Sequence, residues 1–191
     1  ACNTILTQAF EYAKDRNYKT VTVAEKPNIL RETGGLMLTQ AREVARKYPA
    51  IKLIETNIDA LCMWLLKNPL DYSIIVAENL FGDIISDLCA QLVGGLGFAP
   101  SGNIGEDYAV FEPTHGSAPK YAGQYKVNPL AMLLSVEMMV EYLGERTLAE
   151  KVERAVADVI IEGKVKTYDM GGESSTLDMA RAVAVRAGED E

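Results

Sequence analysis

The sequence predicts an α/β fold built in two parts. Short β-branched segments at 20–24, 51–55 and 72–77 alternate with stretches of helical apolar spacing, the pattern of a sheet covered by helices. A glycine cluster at 94–105 interrupts that alternation, and mainly helical segments follow it. With 191 residues, 48% of them hydrophobic and 24% charged, the chain can bury a sizeable core.

The elements follow in order. Ile5, Ala9, Tyr12 and Ala13 recur at helical spacing within 1–17, and Thr20-Val21-Thr22-Val23-Ala24 then alternates like a strand. Gly34-Gly35 opens a helix over 36–48, which Pro49 ends before the alternating Ile51-Lys52-Leu53-Ile54-Glu55. Residues 59–67 predict a helix stopped by Asn68-Pro69, 72–77 a buried strand through Ser73-Ile74-Ile75-Val76, and 82–93 a further helix. Gly94, Gly95, Gly97, Gly102 and Gly105, with Pro100 and Ser101, imply turns and close backbone approach in place of regular structure. The domain boundary is placed there, giving domains at 1–93 and 94–191.

A loop is predicted over 112–127. Helices follow over 129–144, with proline in the favoured first turn, over 147–163, and over 174–187 after Gly171-Gly172. Met132, Leu133, Val136, Met138, Met139 and Val140 cover nearly the whole circumference of the first of these. Such a helix is expected to be buried, within its domain or in a subunit interface.

Composition removes several classes of function. Lys and Arg number 19 against 27 Asp and Glu, a net charge of −8, so no basic surplus exists to bind nucleic acid or an anionic membrane. Apolar runs stop well short of the about 18 residues that a spanning helix needs. Residues 1–17 lack the pattern of a signal peptide, and Cys2, Cys62 and Cys89 have no Cys-x-x-Cys spacing, which together suit a reducing cytoplasm. His115 is the only histidine, so no site rests on two imidazoles. Gly95-x-Gly97 neither follows a strand nor opens a helix, and there is no Gly-Lys-Ser/Thr phosphate loop. A nucleotide here is held by some route other than a Rossmann turn.

Four groups of residues have chemical potential. Asp83 and Asp87 lie four apart near the start of a helix, so their carboxylates share one face. That pair suits a hard cation such as Mg²⁺ or Mn²⁺, or else complements the helix dipole and is solvated. Asp59 opens another helix and reads by itself as a helix-start carboxylate. Lys26, in Glu25-Lys26-Pro27-Asn28 at the carboxyl end of a strand, is a base, an anion partner or a turn lysine. His115-Gly116-Ser117-Ala118-Pro119-Lys120-Tyr121 joins small residues, an imidazole, a cation and an aromatic ring. It reads equally as a nucleotide loop or as a polar surface loop.

In their order and spacing these residues resemble the C-terminal half of the β-decarboxylating dehydrogenases, the family of isocitrate, isopropylmalate and homoisocitrate dehydrogenases. Asn79-Leu80-Phe81-Gly82-Asp83-Ile84-Ile85-Ser86-Asp87 resembles the family signature and continues correctly into Val93-Gly94-Gly95-Leu96-Gly97 and Asn103-Ile104-Gly105. The resemblance implies that Asp83 and Asp87 coordinate Mg²⁺ or Mn²⁺ with an aspartate matching Asp59 from the other subunit, so a homodimer shares the metal site. Lys26 matches the catalytic lysine and Asn28 a substrate or cofactor contact, with Glu25 where the family usually has histidine. His115, Gly116, Ser117, Ala118 and Asn128 match an adenosine-binding loop used in place of a Rossmann fingerprint.

Members that use NAD usually carry an acidic residue followed by isoleucine where this chain has Lys120-Tyr121. The lysine–tyrosine pair is similar to the 2′-phosphate site of NADP-dependent isocitrate dehydrogenases, and Tyr168-Asp169 resembles a further part of it. Four residues after Tyr168, where NADP enzymes often have arginine, stands Gly172. The implied reaction is oxidation of a 2-hydroxy acid with hydride passing to the nicotinamide, then loss of the β-carboxylate as CO₂, with Lys26 helping to remove the hydroxyl proton. NADP is expected over NAD, and isocitrate as substrate. Isopropylmalate or a related 3-substituted malate is the alternative, and a non-catalytic nucleotide-binding or dimerisation module a second. The resemblance covers almost all 191 residues but only about half of a family enzyme. The chain is therefore expected to be inactive without the missing substrate-reading segment.

Overall fold

The computed structural model describes residues 2–188. The chain divides into two compact units, Ala1–Cys89 and Ala90–Glu191. The first unit runs α1 (Cys2–Asp15), β1 (Thr20–Glu25), α2 (Arg31–Ala45), β2 (Lys52–Asn57), α3 (Ile58–Lys67), β3 (Ile74–Ala77) and most of α4 (Asn79–Leu92). Its strands are parallel, in the order β2-β1-β3.

β1 is central and buried on both faces, which suits its valines, threonines and alanine up to the terminal Glu25. Its alternation splits two cores. Val21 and Val23 pack with Leu6 and Phe10 of α1 and with Met37, Leu38 and Ala41 of α2, while Ala24 joins Leu61 and Leu65 of α3 and Ile85 of α4. Removing a ring such as Phe10 from so closed a core costs about 3–5 kcal/mol.

Two details depart from the periodicity reading. The buried face of α1 is Leu6, Phe10 and Ala13, whereas Ile5 and Tyr12 are exposed and Tyr12 carries the Arg16 guanidinium over its ring. Leu6 and Phe10 fill the space above β1, and the amphipathic stripe turns to follow them. α2 begins at Arg31, so Gly34-Gly35 lies inside its first turns and does not precede them. Gly34 stands where α2 crosses the end of β1, with the Glu25 side chain and the Pro27 backbone against it.

The second unit contains β4 (Pro100–Ile104), β5 (Ala109–Pro113), α5 (Leu130–Tyr142), α6 (Arg146–Glu162) and α7 (Thr176–Gly188). β4 and β5 form an antiparallel hairpin in the stretch expected to lack regular structure, with Gly102 opposite Phe111 and Ile104 opposite Ala109. Pro-Ser-Gly-Asn has little strand propensity of its own, and pairing plus cover from α5 decides the matter. Phe111 meets Tyr142 at 5.5 Å between ring centroids. Leu130 of α5, Val156 and Val159 of α6, and Met179 and Val183 of α7 make the core. α5 is less buried than its composition predicts: Leu130, Ala131 and Ser135 are covered, while Met132, Val136, Met139 and Tyr142 stay exposed on the chain.

Candidate active site

The strand order creates a switch point between β1 and β3. α2, which follows β1, packs on one face of the sheet, and α4, which follows β3, packs on the other. The crevice outside the carboxyl ends of strands at such a point is where open α/β sheets hold ligands. Lys26 and Asn28 leave the sheet there in a turn, in which the Lys26 carbonyl accepts from the N–H groups of Ile29 and Leu30 at 3.0 and 2.8 Å. The register pairs Glu25 with Asn57, so Lys26 and Asp59 emerge side by side from neighbouring strands. The Lys26 ammonium donates to Asp59 Oδ1. That hydrogen bond, aided by Asp59's own helix-start backbone N–H, holds the Asp59 carboxyl below the usual aspartate range.

Asp83 and Asp87 occupy successive turns of α4, both exposed, and neither forms an ion pair among the described residues. Two oxygen-only donors on one helix face fit a hard divalent cation. The resemblance places the Asp59 ligand on the other subunit, and among the described residues of one chain no three His, Cys, Asp or Glu side chains stand together as a metal site. Asp59 is held by Lys26.

Glu25 is a feature whose environment the sequence did not reveal. It is 1% exposed at the end of β1, with the Lys26 N–H reaching its Oε2 at 3.4 Å. Burial raises its pKa, the Lys26 N–H lowers it, and Glu78 raises it further, for a net upward shift. Only its position one residue past an apolar strand run hinted at this.

The second group of predicted residues lies within the second unit. A cavity of about 510 Å³ is lined by the turn at 94–97, by His115 to Ala118, and by Asn128, Tyr168 and Asp169. That volume lies within the range for small-molecule and cofactor sites. Asn128 is buried and holds the floor: its Nδ2 donates to Asp169 Oδ2 at 3.0 Å and its Oδ1 accepts the Leu130 N–H at 3.0 Å. Thr167 Oγ1 donates to the other Asp169 oxygen. Gly97 keeps the wall open, because a Cβ there would stand 2.9 Å from Asp169 Oδ2 and 3.3 Å from the Asn128 side chain. The His115 Nδ1–H donates to the Gly116 carbonyl at 2.9 Å.

Lys120 and Tyr121 sit in a short 3₁₀ turn, Pro119–Tyr121, entered through left-handed Ala118. Tyr121 and Tyr168 meet at 5.7 Å between ring centroids. Burial, first, and then Tyr121 raise the pKa of the Tyr168 hydroxyl. Lys120 Nζ lies 4.9 Å from the Tyr121 centroid. Lys126, which the motif reading passed over, lies 5.4 Å from the Tyr121 centroid and 5.0 Å from that of Tyr168. The residues around this cavity fit an adenine nucleotide: small side chains, one buried amide that sets the floor, and cations with phenols at the rim.

Compared with known families, residues 1–183 match isocitrate/isopropylmalate dehydrogenase. The chain belongs to that family. It is 46% identical over 186 residues, 97% of its own length, to a probable NAD isocitrate dehydrogenase alpha subunit of Caenorhabditis elegans. It is 48% identical over 184 residues, 96% of its length, to a 3-isopropylmalate dehydrogenase of Archaeoglobus fulgidus. Among solved structures it is similar to the isocitrate dehydrogenase of Methylococcus capsulatus, with a TM-score of 0.94 and 42% identity over 98% of this chain. The chain spans about half the length of these isocitrate/isopropylmalate dehydrogenases: 52%, 56% and 56% of them, respectively.

Proposed function

We propose that the protein carrying this chain catalyses the metal-dependent, NADP-linked oxidative decarboxylation of isocitrate to 2-oxoglutarate. The observations that support this reading are that Lys26 and Asn28 follow β1, that the neighbouring strand β3 leads into the α4 bearing Asp83 and Asp87, and that the chain is of this family. Asp83 and Asp87 would hold Mg²⁺ or Mn²⁺, and Gly116, Ser117, Ala118 and Asn128 would hold the adenosine of the cofactor, with His115 as an adenine contact. When bound, the two groups supply a Lewis acid for the substrate oxygens and an acceptor for hydride. Lys26 helps take the proton from the substrate hydroxyl, and Asn28 orients substrate or nicotinamide beside it. Because Asp59 stands apart from Asp83 and Asp87 within one chain, a homodimer is proposed in which a second copy completes the metal site with its Asp59.

NADP is favoured over NAD by Lys120, Tyr121 and Tyr168 at the rim of the nucleotide cavity, with Asp169 fixing the turn beneath them. The name of the Caenorhabditis elegans relative carries NAD, and the Archaeoglobus fulgidus relative is a 3-isopropylmalate dehydrogenase at similar identity. The test therefore has two arms. Calorimetric titration of the 191-residue chain with NADP⁺ and with NAD⁺ should show tighter NADP⁺ binding. Tighter NAD⁺ binding would sink the cofactor assignment. Cofactor reduction by the full-length protein, assayed with isocitrate and with 3-isopropylmalate in the presence of Mn²⁺, should favour isocitrate. Preference for the malate would reassign the substrate, and binding without turnover of either would make the protein a nucleotide-binding module.

A further inference from the structure

The rim of the nucleotide cavity carries more positive charge than its two-residue motif accounts for. Lys120 and Lys126 both lie against the Tyr121 ring, and Lys126 also lies against Tyr168. Ring faces attract ammonium groups, but two ammonium groups around one ring repel each other unless an anion sits between or beside them. No protein carboxylate fills that role among the described residues: Lys120 and Lys126 form no ion pair there, and both oxygens of Asp169 are engaged by Asn128 and Thr167. Tyr168 and Asp169 line the cavity itself, so the cationic rim is continuous with the nucleotide site.

Position 172 adds no cation. Any side chain at position 172 would drive its Cβ into the Lys166 carbonyl, which Ser174 N–H already occupies at 2.8 Å. Lys126 is thus the residue placed to supply a second positive charge.

We propose that Lys126 is a specificity-determining residue that, with Lys120, reads the 2′-phosphate of an adenine nucleotide. This rests on the NADP reading above. A phosphate monoester carries close to two negative charges at neutral pH and accepts several charge-assisted hydrogen bonds, matching two ammonium groups and two phenols. Lys126 sits in the irregular segment after the Pro119–Tyr121 turn that carries Lys120, so the anion is held by two separate side chains and not by one flexible side chain.

Binding of adenosine 2′,5′-bisphosphate and of 5′-AMP to the 191-residue chain, measured by calorimetry, tests the proposal without turnover. The unmodified chain should bind the bisphosphate about tenfold more tightly than 5′-AMP, as expected for added charged hydrogen bonds. Lys126→Gln should cut that ratio about fivefold or more with a far smaller effect on 5′-AMP, and Lys126→Arg should keep most of it. No preference in the unmodified chain would overturn both the NADP reading and the role of Lys126. A preference that survives intact in Lys126→Gln would overturn the role of Lys126 alone. Equal losses for both nucleotides would show a structural effect and likewise overturn it. Lys126 is exposed, so the variant is expected to fold, and an unchanged Tm checks this.

Discussion

Lys26 and Asp59 form an ion pair across the carboxyl ends of two adjacent parallel strands. The pair joins the proposed catalytic lysine to a proposed metal ligand, and Asp59 is mostly exposed. Its carboxyl is held low by the Lys26 ammonium, so its stabilising effect is present above the ordinary aspartate pKa and fades as pH falls through the lowered value. Lys26→Met should move the Asp59 titration, followed by carbon-detected NMR, up toward the ordinary aspartate range, and added salt should narrow the difference. An Asp59 titration that ignores the substitution would mean that the pair is absent in solution.

Glu25 behaves in the opposite sense. Its pKa is raised by burial, so the unfolded chain loses this proton first as pH rises from the ordinary glutamate range. The associated stability is fully present below that range and is lost as pH rises through the elevated folded value. Glu25→Gln should leave stability nearly unchanged in acid and raise it, with the Tm, at neutral pH. Parallel Tm-against-pH curves for the two proteins would refute a buried Glu25 with a raised pKa.

Asp83 and Asp87 provide the cleanest test of metal binding. Replacing either with asparagine removes one negative oxygen donor without changing the helix, so Mn²⁺ affinity should fall about tenfold or more, measured by the free-ion electron paramagnetic resonance signal. Helicity should not change, because both side chains are exposed. Equal Mn²⁺ affinity in the double Asp83→Asn, Asp87→Asn variant would remove α4 from the metal site.

Gly97→Ala should damage the nucleotide cavity from inside. The added methyl would crowd Asp169 and Asn128, the two residues that tie the floor together. Overpacking of this kind costs about 1–3 kcal/mol, so a lower Tm and weaker 5′-AMP binding should appear together. A variant that keeps both values would show that this wall can yield.

Much of the first unit was legible in the residues. Alternating valines and threonines marked β1, and the asparagine-to-aspartate signature fixed α4 with its two carboxylates on one face. These signals are local: period two, period 3.6, and a motif whose spacing is itself the geometry. The β4–β5 hairpin was not legible, because its proline, serine and glycine are poor strand formers that pair only when α5 covers them. The same holds for the buried face of α1, which Leu6 and Phe10 take over from Ile5 and Tyr12.

The sequence by itself determined the family and the α/β alternation, because each depends on residue identity at fixed spacing. Tertiary structure alone decided who meets whom. Parallel register sets Lys26 against Asp59, burial raises the Glu25 pKa, and chain folding brings Lys126 to the rings of Tyr121 and Tyr168. Charge interactions depend on distance and on access to water, and neither is written in the order of residues along the chain.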